Sequence, residues 1–453
     1  MCMPLRGTCQ MRKVLFFLLY FLSPILPIAA IYLSNPGYYG AAGFVPMVLG
    51  ATAFTWLNAQ LIISARPKLI ESTFGLDRMY RFHSLMPIFA IVAAFVHKLL
   101  QREAFEESFK TQLGDAALII FIIASVLGLV FLVDTLVLKI KPLMYARDFV
   151  KKIHIGKYNI QKLLHNVMVI AVILVFIHVM LSYSAKNTFV MAVYIAYFGA
   201  AMGFYVYHKV ILRYFLGHKF IVESVIEDSA SMLTITMTPE NGKIFRYLPG
   251  QFGFIRIYGD GISGEEHPFS LTSEPTNKET ISMTIKNLGD WTADVQRIKP
   301  GSRALLTAPY GRFSPLLYPK DKAVVLIAGG IGITPMLSIL RYFYKNDKDR
   351  KVILFWGINS MSEMICSDEF AAFQHSMKNF TLVPVAARQE DYDGEKGFIT
   401  TGLLERMIEN YIGSMQDAQY YICGPAIMQS KVIKGLRSKG ISKKYIHFES
   451  FSL

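Results

Sequence analysis

Four of the chain's ten histidines sit inside long apolar runs. "FHSLMPIFAIVAAFVHKLL" carries His83 and His97, and "LLHNVMVIAVILVFIHVML" carries His165 and His178. An imidazole in hydrocarbon must satisfy its ring nitrogens, so a histidine there is a functional candidate by default. His83 and His97 are 14 residues apart, about 21 Å along an α-helix. If the two runs are helices of one direction, His83 matches His165 in depth and His97 matches His178. That arrangement suits two haems stacked across a bilayer, each clamped by one histidine from each helix. Two imidazoles leave no open iron position, which favours electron transfer over ligand binding. The alternative is two unrelated pairs of interhelical hydrogen-bonding histidines. Zinc fits less well, because no Cys or carboxylate joins the histidines at ligand spacing. The second run also has a phase problem. Fourteen residues return close to one helical face, but thirteen turn about 140° away, so this run must tighten, bend or meet the two haems from different sides.

The elements that would hold these histidines are membrane spans. Of the 453 residues, 53% are hydrophobic and only 18% charged, and the charge deficit falls on the first half. A span needs roughly 20 apolar residues. Six candidates appear, at about 14–33, 41–64, 82–100, 116–138, 163–183 and 189–212. Basic residues cluster in alternate flanks, at Arg12 and Lys13, at Arg66 to Arg81 and at Lys139 to Lys157. The other loops hold almost none, so the N-terminus is expected inside. Six spans return the chain to that side. A multi-pass protein of the cell membrane, inner or plasma, with both termini cytoplasmic, is the expectation. The run "RKVLFFLLYFLSPILPIAA" is read as the first span rather than a signal peptide. The net charge of +14 is assigned to these loops, not to nucleic acid. Cys2, Cys9, Cys366 and Cys423 show no metal spacing and no disulfide framework.

Residues 219–318 change character. "FIVESVI", "MLTITMTP", "FGFIRIYG" and "TISMTIKN" alternate apolar and polar between turns, the pattern of a small antiparallel barrel. From about 321, continuous apolar strands such as "KAVVLIAGG" and "KVILFWGI" alternate with helical segments, which predicts a mostly parallel α/β sheet. Gly329, Gly330 and Gly332 would let backbone approach a phosphate without Cβ overlap. Thr334 suits an N-cap and Pro335 the first helical turn, so the helix start would face an anion.

Taken together, "HPFSLTSEP", "LGDWT", "APYGRF", "AGGIGITPM", "CGPAIM" and "HFESFSL" follow the order seen in the ferredoxin–NADP reductase family. With the six spans and paired histidines, the chain resembles the NADPH oxidase and ferric reductase superfamily of transmembrane flavocytochromes b. The resemblance implies three domains: a six-span haem domain (1–212), an FAD-binding barrel (213–318) and an NAD(P)H-binding α/β domain (319–453). It places His267, Pro268, Phe269 and Ser270 in the flavin motif, with Ser270 near the isoalloxazine and His267 toward the FAD phosphates. The loop Gly289, Asp290, Trp291 and Thr292 would wrap the FAD pyrophosphate. Gly330, Gly332, Thr334 and Pro335 would take the NAD(P)H pyrophosphate. Cys423, Gly424 and Pro425 would border the nicotinamide, and Phe451 would stack on the flavin. Arg388 stands where a 2′-phosphate contact is often found, which mildly favours NADPH over NADH; Ala387 and Asn359 depart from the family's pattern.

The implied activity is electron transfer from cytosolic NAD(P)H through FAD and two b-type haems, held by His83, His97, His165 and His178. The acceptor would be oxygen, giving superoxide, or a ferric or cupric ion on the outer face. Lys98 and Arg102 stand beside the outer haem ligand and would pair with its propionates or with solvent. No regulatory subunit is expected. A different class, a haem-binding transporter with a regulatory flavin domain, stays open.

Overall fold

The computed structural model describes residues 6–34, 41–101, 108–132, 145, 164–215, 217–259, 261–319 and 321–449. The chain divides into two compact units, Met1–Arg213 and Tyr214–Leu453.

In the first unit, α1 (Arg6–Leu22) and α2 (Ile25–Ser34) are broken at Ser23 and Pro24. Pro24 has no N–H to give the carbonyl of Tyr20, one turn back. Ser23 Oγ and Trp56 Nε1 donate to that carbonyl instead, at 2.8 and 3.2 Å. There follow α3 (Ala41–Ser64), the short α4 (Lys68–Phe74) and α5 (Leu76–Leu100). Gly75, at φ 80°, makes the sharp joint between α4 and α5. Next come α6 (Phe109–Leu132), α7 (Met168–Met180) and α8 (Thr188–Val206), the last capped by Asn187 Oδ1 on the N–H groups of Phe189 and Val190.

Among the described residues, five segments are long and apolar enough to cross a membrane: Gln10–Ser34, Gly43–Ser64, Leu76–Leu100, Phe109–Leu127 and Thr188–Tyr214. Leu164–Met180 is apolar but shorter. Parts of the expected spans 116–138 and 163–183 lie outside the described residues. These helices are apolar on their outer faces too: Leu19, Leu33, Val92 and Ile119 are each more than half exposed. A helix packed on a water-soluble body shows polar residues there.

The phase problem of the second histidine run has a local answer. Its helix is interrupted at Val167, where the Val167 N–H donates to Leu164 O and the Ile170 N–H to Val167 O, both across three residues. Such a turn advances about 120° per residue instead of 100°. A few tightened residues therefore recover part of the missing rotation between His165 and His178.

The second unit begins with β1 (His218–Ser229), β2 (Met232–Pro239), β3 (Phe252–Tyr258), β4 (His267–Ser270), β5 (Ile281–Lys286), the short α9 (Asp290–Val295) and β6 (Arg303–Tyr310). These strands form an antiparallel sheet in the order β4-β3-β6-β1-β2-β5. The outermost strands β4 and β5 also touch, which curls the sheet around a core that includes Phe220, Ile235, Ile257 and Leu306.

The remainder alternates: β7 (Ala323–Gly329), α10 (Ile333–Asn346), β8 (Val352–Ile358), α11 (Ser367–Ser376), β9 (Phe380–Ala386), β10 (Glu395–Lys396), α12 (Thr401–Ile412), β11 (Ala418–Cys423), α13 (Ala426–Ser438) and β12 (Ile446–Glu449). The parallel sheet runs β10-β9-β8-β7-β11-β12. Helices α10 and α11 cover one face through Leu337, Leu340 and Phe373. Helices α12 and α13 cover the other through Leu404, Ile408 and Leu436. Burial on both faces explains the unbroken apolar runs of β7 and β8. The strand order reverses at β7, and ligands of open α/β sheets bind at such switch points, beyond the carboxyl ends of the strands.

Candidate cofactor sites

The switch point is built from two glycine turns pressed together. β7 and β11 pair in parallel, with Ala328 opposite Cys423. A Cβ on Gly332 would overlap the Cys423 carbonyl and come within 3.0 Å of the Gly424 nitrogen. A Cβ on Gly329 would meet Met428 Sδ at 2.7 Å and Pro425 Cδ at 2.9 Å. Two of the three glycines of this turn therefore have a packing reason of their own, beside the phosphate approach expected of them. Gly329 and Gly332 are there for backbone packing against the Cys423–Pro425 turn. Gly330 alone, at φ 52°, faces open space. Its carbonyl accepts from Trp356 Nε1 at 3.0 Å, a brace that sequence reasoning missed. The N-cap of α10 is Gly332 rather than Thr334, whose Oγ1 turns back to donate to Ile331 O at 3.0 Å. Pro335 does lie in the first turn, as expected.

Cys423 is buried, and burial, with the Glu449 carboxylate adding to it, pushes its thiol pKa far up. It stays a neutral thiol. Glu449 lies opposite Cys423 in the sheet, and Gln429 Nε2 clamps Gly424 O and Glu449 O at 2.9 and 2.8 Å. The Glu449 side chain reaches the other sheet, where its Oε1 accepts from the Arg312 N–H at 3.2 Å. Arg312 follows β6, Tyr310 of β6 pairs with Phe252 of β3, and Phe252 pairs with Ser270. Glu449 therefore links the strand that ends in Cys423 to the sheet that ends in Ser270. Nothing in the "HFES" run marks this by spacing alone. Phe451 lies outside the described residues.

In the flavin motif, Ser270 is buried at the end of β4. His267 and Phe269, on one face of that strand, both stack on Trp291, with ring centroids 4.2 and 5.7 Å apart. Trp291 is itself buried and donates Nε1–H to Ser263 O at 3.0 Å. The "LGDWT" loop is thus pinned to the "HPFS" strand by its tryptophan. Thr292 Oγ1 accepts the N–H groups of both Leu288 and Gly289 at 2.9 Å, so those two amides are held within the loop. Asp290 and Gly289 are exposed. Pro268 pairs with Phe254 in β3. On the opposite side of the α/β sheet's mouth, Arg388 is exposed beyond β9, and its N–H donates to Asn359 O at 2.9 Å. Asn359 Nδ2 holds Glu363 Oε1 at 2.7 Å.

The two sheets are tied by buried polar contacts. Ser338 Oγ of α10 donates to Ser273 O at 2.9 Å. Arg341 donates Nη1 to Thr272 O and holds Glu369 with Nε and Nη2, each at 2.7 Å. A bidentate arginine of this kind fixes distance and angle together.

In the first unit, the structure brings His83 and His165 together, ring centroids 6.0 Å apart and planes at 81°. With metal–nitrogen bonds of about 2 Å, that separation leaves room for one metal ion that both imidazoles would hold. His83 Nδ1 donates to Gln60 Oε1 at 2.9 Å, and Gln60 Nε2 donates to Tyr20 Oη at 2.9 Å. His97 Nδ1 donates to Pro46 O at 2.7 Å, and His178 Nδ1 to Lys110 O at 2.8 Å. Metal-bound histidines almost always donate the other ring N–H in this way, which leaves Nε2 as the ligand. His165 Nδ1 is buried with no hydrogen-bond partner among the described residues. The donor set therefore fits a porphyrin iron held by two imidazoles. Lys98, expected near a haem propionate or solvent, instead pairs with Asp115 at 2.8 Å. Arg102 lies outside the described residues. Gln60 and Tyr20 escaped the sequence reading, because a buried glutamine and tyrosine carry no spacing signal.

Comparison with known proteins agrees with the second unit. Residues 204–312 match the family described as FAD-binding domain, and residues 326–434 match the oxidoreductase NAD-binding domain. The chain is 30% identical over 210 residues to sulfhydrogenase 2 subunit gamma of Pyrococcus furiosus, covering 45% of this chain and 71% of that one. It is 25% identical over 234 residues to the glycine betaine monooxygenase reductase subunit of Chromohalobacter salexigens, covering 50% and 62%. The chain thus spans less than two thirds of the length of the second relative. Through its C-terminal half, the chain belongs to the ferredoxin–NADP reductase-type flavoprotein superfamily. It is an NAD(P)H-dependent flavin oxidoreductase that binds FAD and a nicotinamide nucleotide.

Proposed function

We propose that the chain carries electrons across a lipid bilayer, from NAD(P)H on the cytoplasmic face to oxygen on the far face. The domains would be 1–212 for the haem bundle, 213–318 for FAD and 319–453 for the nucleotide, with both termini cytoplasmic. When bound, FAD would turn a two-electron donor into single electrons, and two b-type haems would carry them through the hydrocarbon. His83 and His165 would hold the inner haem, His97 and His178 the outer one. Gln60 and the carbonyls of Pro46 and Lys110 would fix the tautomers of their partners. Ser270 would lie at the isoalloxazine and Phe451 would stack on it until nicotinamide displaces the ring. Gly330 offers open backbone to the nucleotide pyrophosphate, and Arg388 is free to meet a 2′-phosphate.

The observation that carries this reading is the 6.0 Å approach of His83 and His165, with three of the four imidazoles tied through Nδ1. A flavin reductase that works only in water has no use for such histidines within apolar helices. Purified protein should show an oxidised flavin band and reduced b-haem bands, with two haems per chain. His97→Leu should lose one haem and keep flavin reduction by NADPH. Full haem content in that variant would refute the assignment. Ferric chelate as acceptor is the second reading: NADPH would then reduce the chelate, and air would yield no superoxide.

A further inference from the structure

The two outer histidines are seated by the same device on two different helices. His97 Nδ1 donates to the carbonyl of Pro46 on α3, and His178 Nδ1 to the carbonyl of Lys110 on α6. Each carbonyl belongs to a residue four positions before a glycine, Gly50 and Gly114. A Cβ on Gly50 would lie 2.8 Å from both Nδ1 and Cε1 of His97. A Cβ on Gly114 would lie 2.9 Å from Nδ1 and 3.0 Å from Cε1 of His178. The physical link is the tilt of helical side chains toward the N-terminus. A side chain covers the turn before its own Cα, and so covers the carbonyl four residues back. Only glycine leaves that carbonyl open to a donor from a neighbouring helix. The adjoining residues Lys98 and Asp115 join α5 to α6 by their ion pair, next to His97 and Gly114 respectively.

We propose that Gly50 and Gly114 are positioning residues. Each opens a notch in which a helix carbonyl takes the Nδ1–H of an outer histidine, fixing its tautomer and aiming Nε2 at the haem. The inner pair uses a different partner, the side-chain amide of Gln60. The inference rests on the haem reading above and extends it to residues that touch no iron. An Nδ1–H given to a carbonyl makes the imidazole a more basic ligand. That favours oxidised iron, so losing the notch should raise the outer haem's potential or release that haem.

The test is a redox titration of purified Gly50→Ala and Gly114→Ala, with haem content measured on the same samples. Gly199→Ala and Gly203→Ala in α8 are controls, since nothing lies within 4 Å of a Cβ at either glycine. Alanine is otherwise the better helix former by about 1 kcal/mol, so the substitution itself should not unfold a helix. Gln60→Leu supplies the crossed control at the inner haem. We expect Gly50→Ala and Gly114→Ala to alter the same one of two transitions, by upward shift or by loss of one haem per chain. Gln60→Leu should alter the other transition, and the two controls neither. Unmoved transitions in both notch variants would overturn the proposal, as would equal shifts of both haems, the mark of general damage to packing. Wild-type protein without haem would overturn the haem reading itself, and this inference with it. Haem present with notches that do not matter would overturn this inference alone.

Discussion

Two residues of the C-terminal half, Gly332 and His447, show how fully local chemistry is set by neighbours. Gly332 has no room for a methyl group, because the Cys423 carbonyl occupies that space. Forcing extra atoms into packed structure costs about 1–3 kcal/mol. Gly332→Ala should therefore displace the turn and weaken NADP+ binding at least tenfold, read from the flavin difference spectrum; unchanged affinity would show that the turn tolerates movement. His447 lies between Tyr318 and Tyr421, with ring centroids 3.9 and 4.7 Å away. Burial pushes its pKa down to about 3, with the Arg312 charge adding to the effect. The sign follows from where protons bind. Between the ordinary histidine value near 6.5 and about 3, the unfolded chain takes a proton that the folded chain refuses. Stability thus falls as pH drops through that window, by up to about 1.4 kcal/mol per pH unit. His447→Phe keeps the stacking and removes the proton, so its melting temperature should fall less steeply than wild type from pH 6.5 to 4. Parallel curves would contradict the assignment.

Among the elements, the "LGDWT" loop is pinned to β4 by the stacking of Trp291 on His267 and Phe269. Removing a buried tryptophan side chain costs about 3–5 kcal/mol. Trp291→Ala should loosen the antiparallel sheet and lower FAD retention on gel filtration, and retention equal to wild type would show that the loop holds without it. The elements themselves were legible in the sequence wherever periodicity is strong. Alternation marks β1, β2 and β5, and continuous apolar runs mark β7 and β8, because those strands are buried on one face or on both. What the residues in the sites do was legible only in part. Gly332 meets Cys423 through space, and no local pattern reports a neighbour so distant along the chain. The same holds for Gln60 beneath His83, for Glu449 reaching Arg312, and for Lys98 with Asp115. The break at Val167 follows directly on His165 and Asn166, with no Pro or Gly to announce it.

At the scale of the molecule, one half is an FAD- and nucleotide-binding reductase and the other holds helices apolar enough to cross a bilayer. Apolar helices could serve merely as an anchor, and then electrons would stay on one face. The proposed transfer through two haems would instead require that electrons reach the other. The direct measurement uses purified protein in sealed liposomes, with an impermeant ferric acceptor trapped inside and NADPH added outside. NADPH does not pass the lipid, so only molecules with their reductase half outward respond. Reduction of the trapped acceptor, lost in His97→Leu, is the predicted result. Oxidation of NADPH by an acceptor added outside, with the trapped one untouched, would contradict transmembrane transfer.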